Sequence, residues 1–266
     1  MNKTLLKGLQ VIELLAHSER PLSLTEIAEA LDLVKSNVHR LLQGLTQTRY
    51  IVRDESTLKY SASIRLWELG SAVLLKLDLR RHAEIIMESL AMSTDETVHL
   101  SILDEDEVVY LHKVESMNPV RAYTQIGGRA PACCVATGKA LLAFRSNEYL
   151  HRIASKLVPQ TKTTIIDADE FFSEIARIRK IGYATNMGEW REGVYGVAAP
   201  IFDGSGNAIA AIGLSGPKPR FTSVKVREFA ELLVTAATDI TANLSGHAGY
   251  QALRGPDKRP IAGQRD

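Results

Sequence analysis

The chain has 266 residues, 45% of them hydrophobic and 24% charged, with 32 Lys and Arg against 31 Asp and Glu. Such a balance describes a globular protein of one large or two small domains and excludes collagen-like, coiled-coil and low-complexity chains. No run approaches about 20 apolar residues, so no membrane span is expected. No signal-peptide core precedes Glu13, and the adjacent Cys133 and Cys134 suit a reducing cytoplasm better than a disulfide framework.

The net charge of +1 selects no partner, but its distribution is uneven. Residues 1–32 carry a net −2 and residues 33–65 a net +4. A basic block beside an acidic one fits a polyanion-facing surface, or a mixed solvated one.

Residues 4–17 read as an amphipathic helix with Leu5, Leu6, Leu9, Ile12, Leu14 and Leu15 on its apolar stripe. Ser23-Leu24-Thr25-Glu26 has capping-box spacing and opens a short helix with Ile27, Ala28 and Leu31 facing inward. A break at Asp32-Leu33 leads to a third helix near Val34–Leu45. At 100° per residue, Val34, Val38, Leu41, Leu42 and Leu45 cluster on one side, Ser36, Arg40 and Gln43 lie opposite, and His39 is on the flank. This is a helix-turn-helix layout. Its polar front carries DNA-reading chemistry: Arg pairs with guanine, Gln with adenine, and Ser with phosphate or base. Tyr50–Arg53 and Leu58–Tyr60 flank the polar turn Asp54–Thr57 as a hairpin. This wing would bring Arg53 and Lys59 to phosphate. A small helical protein-interaction domain is the alternative.

The run from Ser23-Leu24-Thr25-Glu26-Ile27-Ala28 through Lys35-Ser36-Asn37-Val38-His39-Arg40-Leu41-Leu42 resembles the DNA-binding domain of the IclR family of bacterial transcriptional regulators. The resemblance extends to about residue 245. It departs at Val34, where the family commonly has Pro, and at Asn37, where it has Thr. Val34 should not stop the helix, whereas Asn37 bears on which operator is read. The candidate DNA-binding residues are Lys35, Ser36, Asn37, His39, Arg40, Gln43, Arg53 and Lys59.

Residues 63–78 carry Ile64, Leu66, Trp67, Leu69, Val73, Leu74, Leu75 and Leu77, too apolar for a solvated linker. The helix packs on its own domain or pairs with a second copy. The resemblance implies dimers, often joined into tetramers.

A helix over 79–93 follows. Val98–Leu103 and Val108–Lys113 then form a hairpin about Asp104–Glu107, placing His99 opposite His112. Two such histidines could ligate a metal, but no third ligand is visible, so no metal site is expected. A strand near Val120–Ile126 precedes a helix beginning near Thr137, whose N-terminus is either merely capped or holds a small anion. Neither cysteine has an assignable base, so no catalytic residue is expected. Next come a helix over Asp169–Ile181, a strand over Tyr183–Asn186, a hairpin and a long C-terminal helix. The hairpin pairs Val194–Phe202 with Asn207–Ser215 through Asp203–Gly206. Gly196 then faces Gly213, Ala198 faces Ala211, and Val194 faces Ser215. A sheet face so stripped of bulk either admits a helix closely or leaves a pocket.

Gly138-Lys139-Ala140-Leu141-Leu142-Ala143, Glu189-Trp190-Arg191-Glu192-Gly193-Val194 and Ser215-Gly216-Pro217 resemble motifs of the family's effector-binding domain. That resemblance implies a GAF-like antiparallel sheet with helices on both sides, binding small organic or aromatic acids. It puts carboxylate-binding backbone N–H groups near Ala136 and Thr137, and polar pocket positions at Asn186, Gly196, Gly213 and Ser215. Members that bind very small keto acids carry Asp, Cys and Ser where this chain has Asn186, Gly196 and Gly213. A larger, less polar pocket is therefore expected, for an acid bulkier than glyoxylate or pyruvate.

The expected fold class is α+β. Residues 1–62 form the winged helix-turn-helix, 63–78 a linker or dimerisation helix, 79–245 the GAF-like α/β effector-binding domain with an antiparallel sheet, and 246–266 a disordered tail. The expected function is a cytoplasmic, ligand-responsive regulator, a repressor of a catabolic operon. Its partners would be double-stranded operator DNA, a small carboxylate effector (an aromatic or sugar acid) and a second or fourth copy of itself, with no cofactor, metal or membrane. The rivals are an enzyme acting on a small acid and a non-sensing DNA- or protein-binding module.

Overall fold

The computed structural model describes residues 3–75, 78–122 and 124–245. It divides into two compact units, Met1–Lys76 and Leu77–Asp266.

In the first unit, helix α1 spans Lys3–His17, α2 Leu24–Ala30 and α3 Lys35–Gln47. The capping box at α2 forms: Glu26 N–H donates to Ser23 Oγ and Ser23 N–H to Glu26 Oε2. Between α2 and α3 the chain turns sharply at Asp32, which adopts a φ of 50°. Val11, Leu15, Ile27, Ala28, Val38, Leu42, Ile51 and Tyr60 form one core. The inward face of α1 is thus Gly8, Val11 and Leu15. Leu5, Leu6 and Leu9 of the expected stripe are exposed, because Gly8 lies against Leu41 and sets which side of α1 meets α3. Val34, placed among the inward residues, is instead the exposed, extended N-cap of α3 and makes no side-chain cap.

Strands β1 (Ile51–Arg53) and β2 (Tyr60–Ala62) form the antiparallel wing, with Arg53 opposite Tyr60. The second strand starts two residues later than expected. Asp54 Oδ1 accepts from the N–H groups of Ser56 and Thr57, so the turn runs on to Leu58 at a φ of 56°. Tyr60 also exchanges backbone hydrogen bonds with Leu22, tying the wing to the α1–α2 connection. Helix α4 covers Ile64–Leu75.

The second unit begins with α5 (Asp78–Thr94), then β3 (Thr97–Asp104) and β4 (Glu107–Val114). Their turn is only Glu105-Asp106, and Leu111 is an extra residue on β4: Ser101 opposes Tyr110, yet Leu100 opposes His112. One inserted residue flips every later side chain to the other face. His99 consequently pairs with Lys113, and the expected His99–His112 pair is separated onto opposite faces. Among the described residues no strand forms near 120–126. Tyr110 instead exchanges backbone hydrogen bonds with Gly127 and Gly128, and strand β5 follows at Arg129–Pro131.

A 3-10 turn at Ala132–Cys134 leads into α6 (Ala136–Leu142). Helix α7 (Asn147–Ala154), absent from the sequence reading, is capped by Ser146, and α8 (Ala168–Ile181) by Asp167 and a left-handed Gly182. Then come β6 (Ala184–Met187), β7 (Val194–Phe202), β8 (Ala208–Pro217) and α9 (Ser223–Ser245). The tail from 246 lies outside the described residues.

The six strands run β5-β4-β3-β8-β7-β6, every neighbour antiparallel. Buried residues recur at helical spacing along α5 (Leu79, Ala83, Met87, Leu90) and α9 (Phe229, Leu233, Ala236, Ile240). These two helices pack together and on the sheet, while α6 packs on β7, β8 and β3. Around α6, Leu141, Leu142, Leu150, Phe171, Ile175 and Ala211 close a second core with α7 and α8. The β7–β8 register differs from the expected one by two residues. Asp203 Oδ1 holds Ser205 and Asn207 N–H, and Ile209 is bulged, so Gly196 faces Ser215 and Ala198 faces Gly213. A slip of two keeps each side chain on its face, so the small-residue face survives.

Candidate nucleic-acid interface and ligand pocket

On α3, Lys35, Ser36, His39, Arg40 and Gln43 are exposed and Asn37 is half-buried, while Val38 and Leu42 are in the core. A helix with a fixed back and a polar front is suited to lie in a major groove. Arg40 Nη2 donates to Asn37 Oδ1 at 3.3 Å, orienting the guanidinium along the exposed face. On the wing, Arg53 lies 3.8 Å from Glu55 and over the Tyr60 ring. Lys59 is half-buried at the other end of the turn. Arg20, also basic, is engaged by Glu26 at 2.7 Å.

A pocket of about 60 Å³ opens in the second unit, lined in part by His99, Tyr110, Thr124, Trp190 and Arg191 and by all six sequence-chosen positions: Ala136, Thr137, Asn186, Gly196, Gly213 and Ser215. A single water needs about 10–15 Å³ on this measure, so the space takes a small molecule. Ala136 and Thr137 form the first turn of α6, whose N–H groups have no intrahelical acceptor; Val135 provides no side-chain cap. Asn186 Oδ1 accepts from Gly188 and Glu189 N–H, at 3.0 and 2.8 Å. Its oxygen therefore shapes the turn, and its NH2 is the group able to meet a ligand.

His99 Nε2 lies 2.5 Å from Ser215 Oγ, and its Nδ1 3.3 Å from Thr124 Oγ1. Burial, with the Lys113 ammonium nearby, lowers its pKa to about 4. The imidazole is neutral at pH 7. Burial raises the Tyr110 phenol to about 12, so it remains a donor. The small-residue face serves two purposes. A Cβ on Gly213 would come within 2.9 Å of the Thr137 methyl, so that glycine seats α6 on the sheet and does not itself enlarge the space.

Residues 4–55 match the family model described as the IclR helix-turn-helix domain, and residues 71–242 match that of the bacterial transcriptional regulator IclR C-terminal domain. The HTH-type transcriptional regulator KdgR of Escherichia coli is 36% identical over 231 residues, 86% of this chain and 88% of that protein. The chain belongs to the IclR family of bacterial transcriptional regulators. Its fold matches the crystal structure of the Thermotoga maritima IclR with a TM-score of 0.77 and 30% identity, covering 92% of this chain and 99% of that one. An IclR homologue from Microbacterium hydrocarbonoxydans, complexed with 4-hydroxybenzoate, has a TM-score of 0.80 and 25% identity, covering 91% and 99%.

This IclR-family chain is therefore a DNA-binding transcription regulator. Its relatives are transcription regulators, not enzymes. No helix among the described residues is long and apolar enough to cross a membrane. The polar and aromatic pocket residues missed by sequence reasoning are His99, Tyr110, Thr124, Trp190 and Arg191. His99 and Tyr110 lie on one face of the β3–β4 hairpin, but nothing in the strand pattern links that face to α6. Arg191 lies over the Trp190 ring at 4.5 Å, on a segment flanked by Gly188 and Gly193 at φ of 88° and 77°.

Proposed function

We propose that this regulator is a cytoplasmic repressor of a catabolic operon, released from its operator by a small organic acid. Lys35, Ser36, Asn37, His39, Arg40 and Gln43 would face the major groove, and Arg53 and Lys59 the flanking phosphates. The exposed polar front of α3 supports this assignment. A DNA-reading part coupled to a ligand-binding part suffices to repress by occupying a promoter.

Homodimers, or tetramers built from them, would read two half-sites about 34 Å apart. Pairing through α4 is supported by Ile64 and Trp67, which expose 70% and 68% of their surface.

The observation that carries the sensor half is the pocket at the end of α6, where the six family-implied positions converge. The carboxylate would meet the Ala136 and Thr137 N–H groups. Asn186, Ser215, His99, Thr124 and Tyr110 offer neutral hydrogen-bonding groups, which favours an acid carrying hydroxyls, either a sugar acid or a hydroxylated aromatic one. The effector acts only if it binds the operator-bound and free shapes unequally.

A thermal-shift panel of aliphatic, aromatic and sugar acids tests this reading. A ligand at 100 times its Kd adds about 2.7 kcal/mol. The hit should also weaken binding to promoter DNA from the chain's own gene neighbourhood. Promoter binding indifferent to every acid that stabilises the protein would refute the sensor role.

A further inference from the structure

The two cysteines sit on the 3-10 turn Ala132–Cys134, outside the pocket lining and unused by the proposed function. Cys133 is half-buried and Cys134 buried. Their sulfurs are 3.6 Å apart, with a hydrogen bond between the thiols.

Two chemistries could use such a pair. A disulfide would need the sulfurs to close to about 2.05 Å across adjacent Cα atoms about 3.8 Å apart, short of the usual 4.4–6.8 Å. A single thiophilic atom bound to both sulfurs needs no such closure. At a typical thiolate bond length of about 2.3 Å, a 3.6 Å separation subtends roughly 100° at the bound atom, near tetrahedral or pyramidal geometry. No group of three or more His, Cys, Asp or Glu able to hold a metal ion occurs among the described residues. The bound centre must therefore bring its remaining substituent with it, which argues against a closed zinc site of four protein ligands.

We propose that Cys133 and Cys134 form a dithiol site for a thiophilic trivalent centre that carries its own third group, namely a trivalent arsenical. The reaction is a substitution without redox change. Each As–OH bond is replaced by an As–S bond, and each thiol proton leaves with the hydroxide as water. Cys133 is the first to react. It is the more accessible sulfur, and the Cys134 thiol beside it holds its pKa below the usual thiol range. Cys134 then closes the ring. The turn bears directly on α6, since a Cβ on Gly138 would overlap the Ala132 carbonyl.

The test treats the reduced, full-length native chain with phenylarsine oxide. One equivalent should bind per chain and protect both cysteines from N-ethylmaleimide. Release should need a 1,2-dithiol at concentrations where a monothiol does nothing. C133S and C134A should each bind about 100-fold more weakly, because the second bond is no longer intramolecular. The proposal is overturned if both cysteines of the native chain stay open to alkylation, or if either folded variant binds like the parent. If a variant fails to fold, the protection assay on the native chain decides alone. None of these outcomes bears on operator binding.

Discussion

Lys139 Nζ lies 2.7 Å from Glu189 Oε1, with both side chains buried, and 3.2 Å from Glu174 Oε1. The pair ties α6, which supplies Ala136 and Thr137 to the pocket, to the segment that supplies Trp190 and Arg191. Burial raises the Glu189 pKa against the pull of Lys139, and Glu189 Oε2 has no hydrogen-bond partner among the described residues. Removing one member of a buried pair strands the other, at about 3–5 kcal/mol, whereas an apolar replacement of both is often tolerated. Lys139→Met and Glu189→Leu should each lower stability in urea unfolding, and K139M/E189L should lose far less than the sum. Additive losses would remove the coupling.

The neutral, buried His99 makes stability depend on pH. Its folded pKa is about 4, against an ordinary 6.5. Between those values the unfolded chain binds more protons, so the stability present above pH 6.5 is lost as pH falls towards 4. About 2 kcal/mol should disappear between pH 7 and pH 5, following from 1.36 kcal/mol per pKa unit. His112, also lowered by burial, acts in the same direction. Urea titrations at the two pH values check this, and His99→Gln should flatten most of the difference.

Much of the first unit was legible in the sequence because its signals are local. The capping box, the period of α3 and the turn residues of the wing each act within a few positions. Val34 and the Leu5, Leu6 and Leu9 stripe misled because periodicity gives a face, not which neighbour covers it. In the second unit the errors came from one or two inserted residues. The bulges at Leu111 and Ile209 have no composition signature, yet one separates His99 from His112 and the other, together with a turn one residue longer than expected, slides Gly196 from Gly213 to Ser215. The pocket positions at Ala136, Thr137 and Asn186 came from family resemblance. Only the folded sheet brings His99 and Tyr110 beside them.

Arg40 is exposed on α3 and held at 3.3 Å by Asn37. If it reads a base, Arg40→Ala should weaken operator binding by about 1–3 kcal/mol and relax preference at one base pair. Asn37→Ala, which frees the guanidinium, should cost less. A mobility-shift series on single-base operator variants separates these effects. Unchanged affinity and preference would end that role for Arg40.

The wing residues should behave differently. Arg53 and Lys59 flank a turn pinned by Asp54, placing two cations where phosphate would lie. Arg53→Ala and Lys59→Ala should each weaken operator and random DNA alike. Each should also reduce the slope of log K against log salt by about one. Arg53 starts paired with Glu55, so Glu55→Ala should strengthen binding to both DNAs.

Gly213 gives the sharpest separation of sensing from DNA reading. A side chain there would meet the Thr137 methyl at 2.9 Å, the Val197 carbonyl at 2.9 Å and Ala198 Cβ at 3.0 Å. None of these is the far end of a flexible chain, so α6 must lift or the sheet must bend. Overpacking of this kind typically costs about 1–3 kcal/mol. Gly213→Val should therefore lower the melting temperature and abolish the thermal shift from whichever acid stabilises the parent. The α3 front belongs to the other compact unit, so operator affinity without ligand should persist while its response to the acid disappears. A variant that keeps the full acid response would show that α6 can move off the sheet without disturbing the Ala136 and Thr137 N–H groups, and would place the ligand elsewhere.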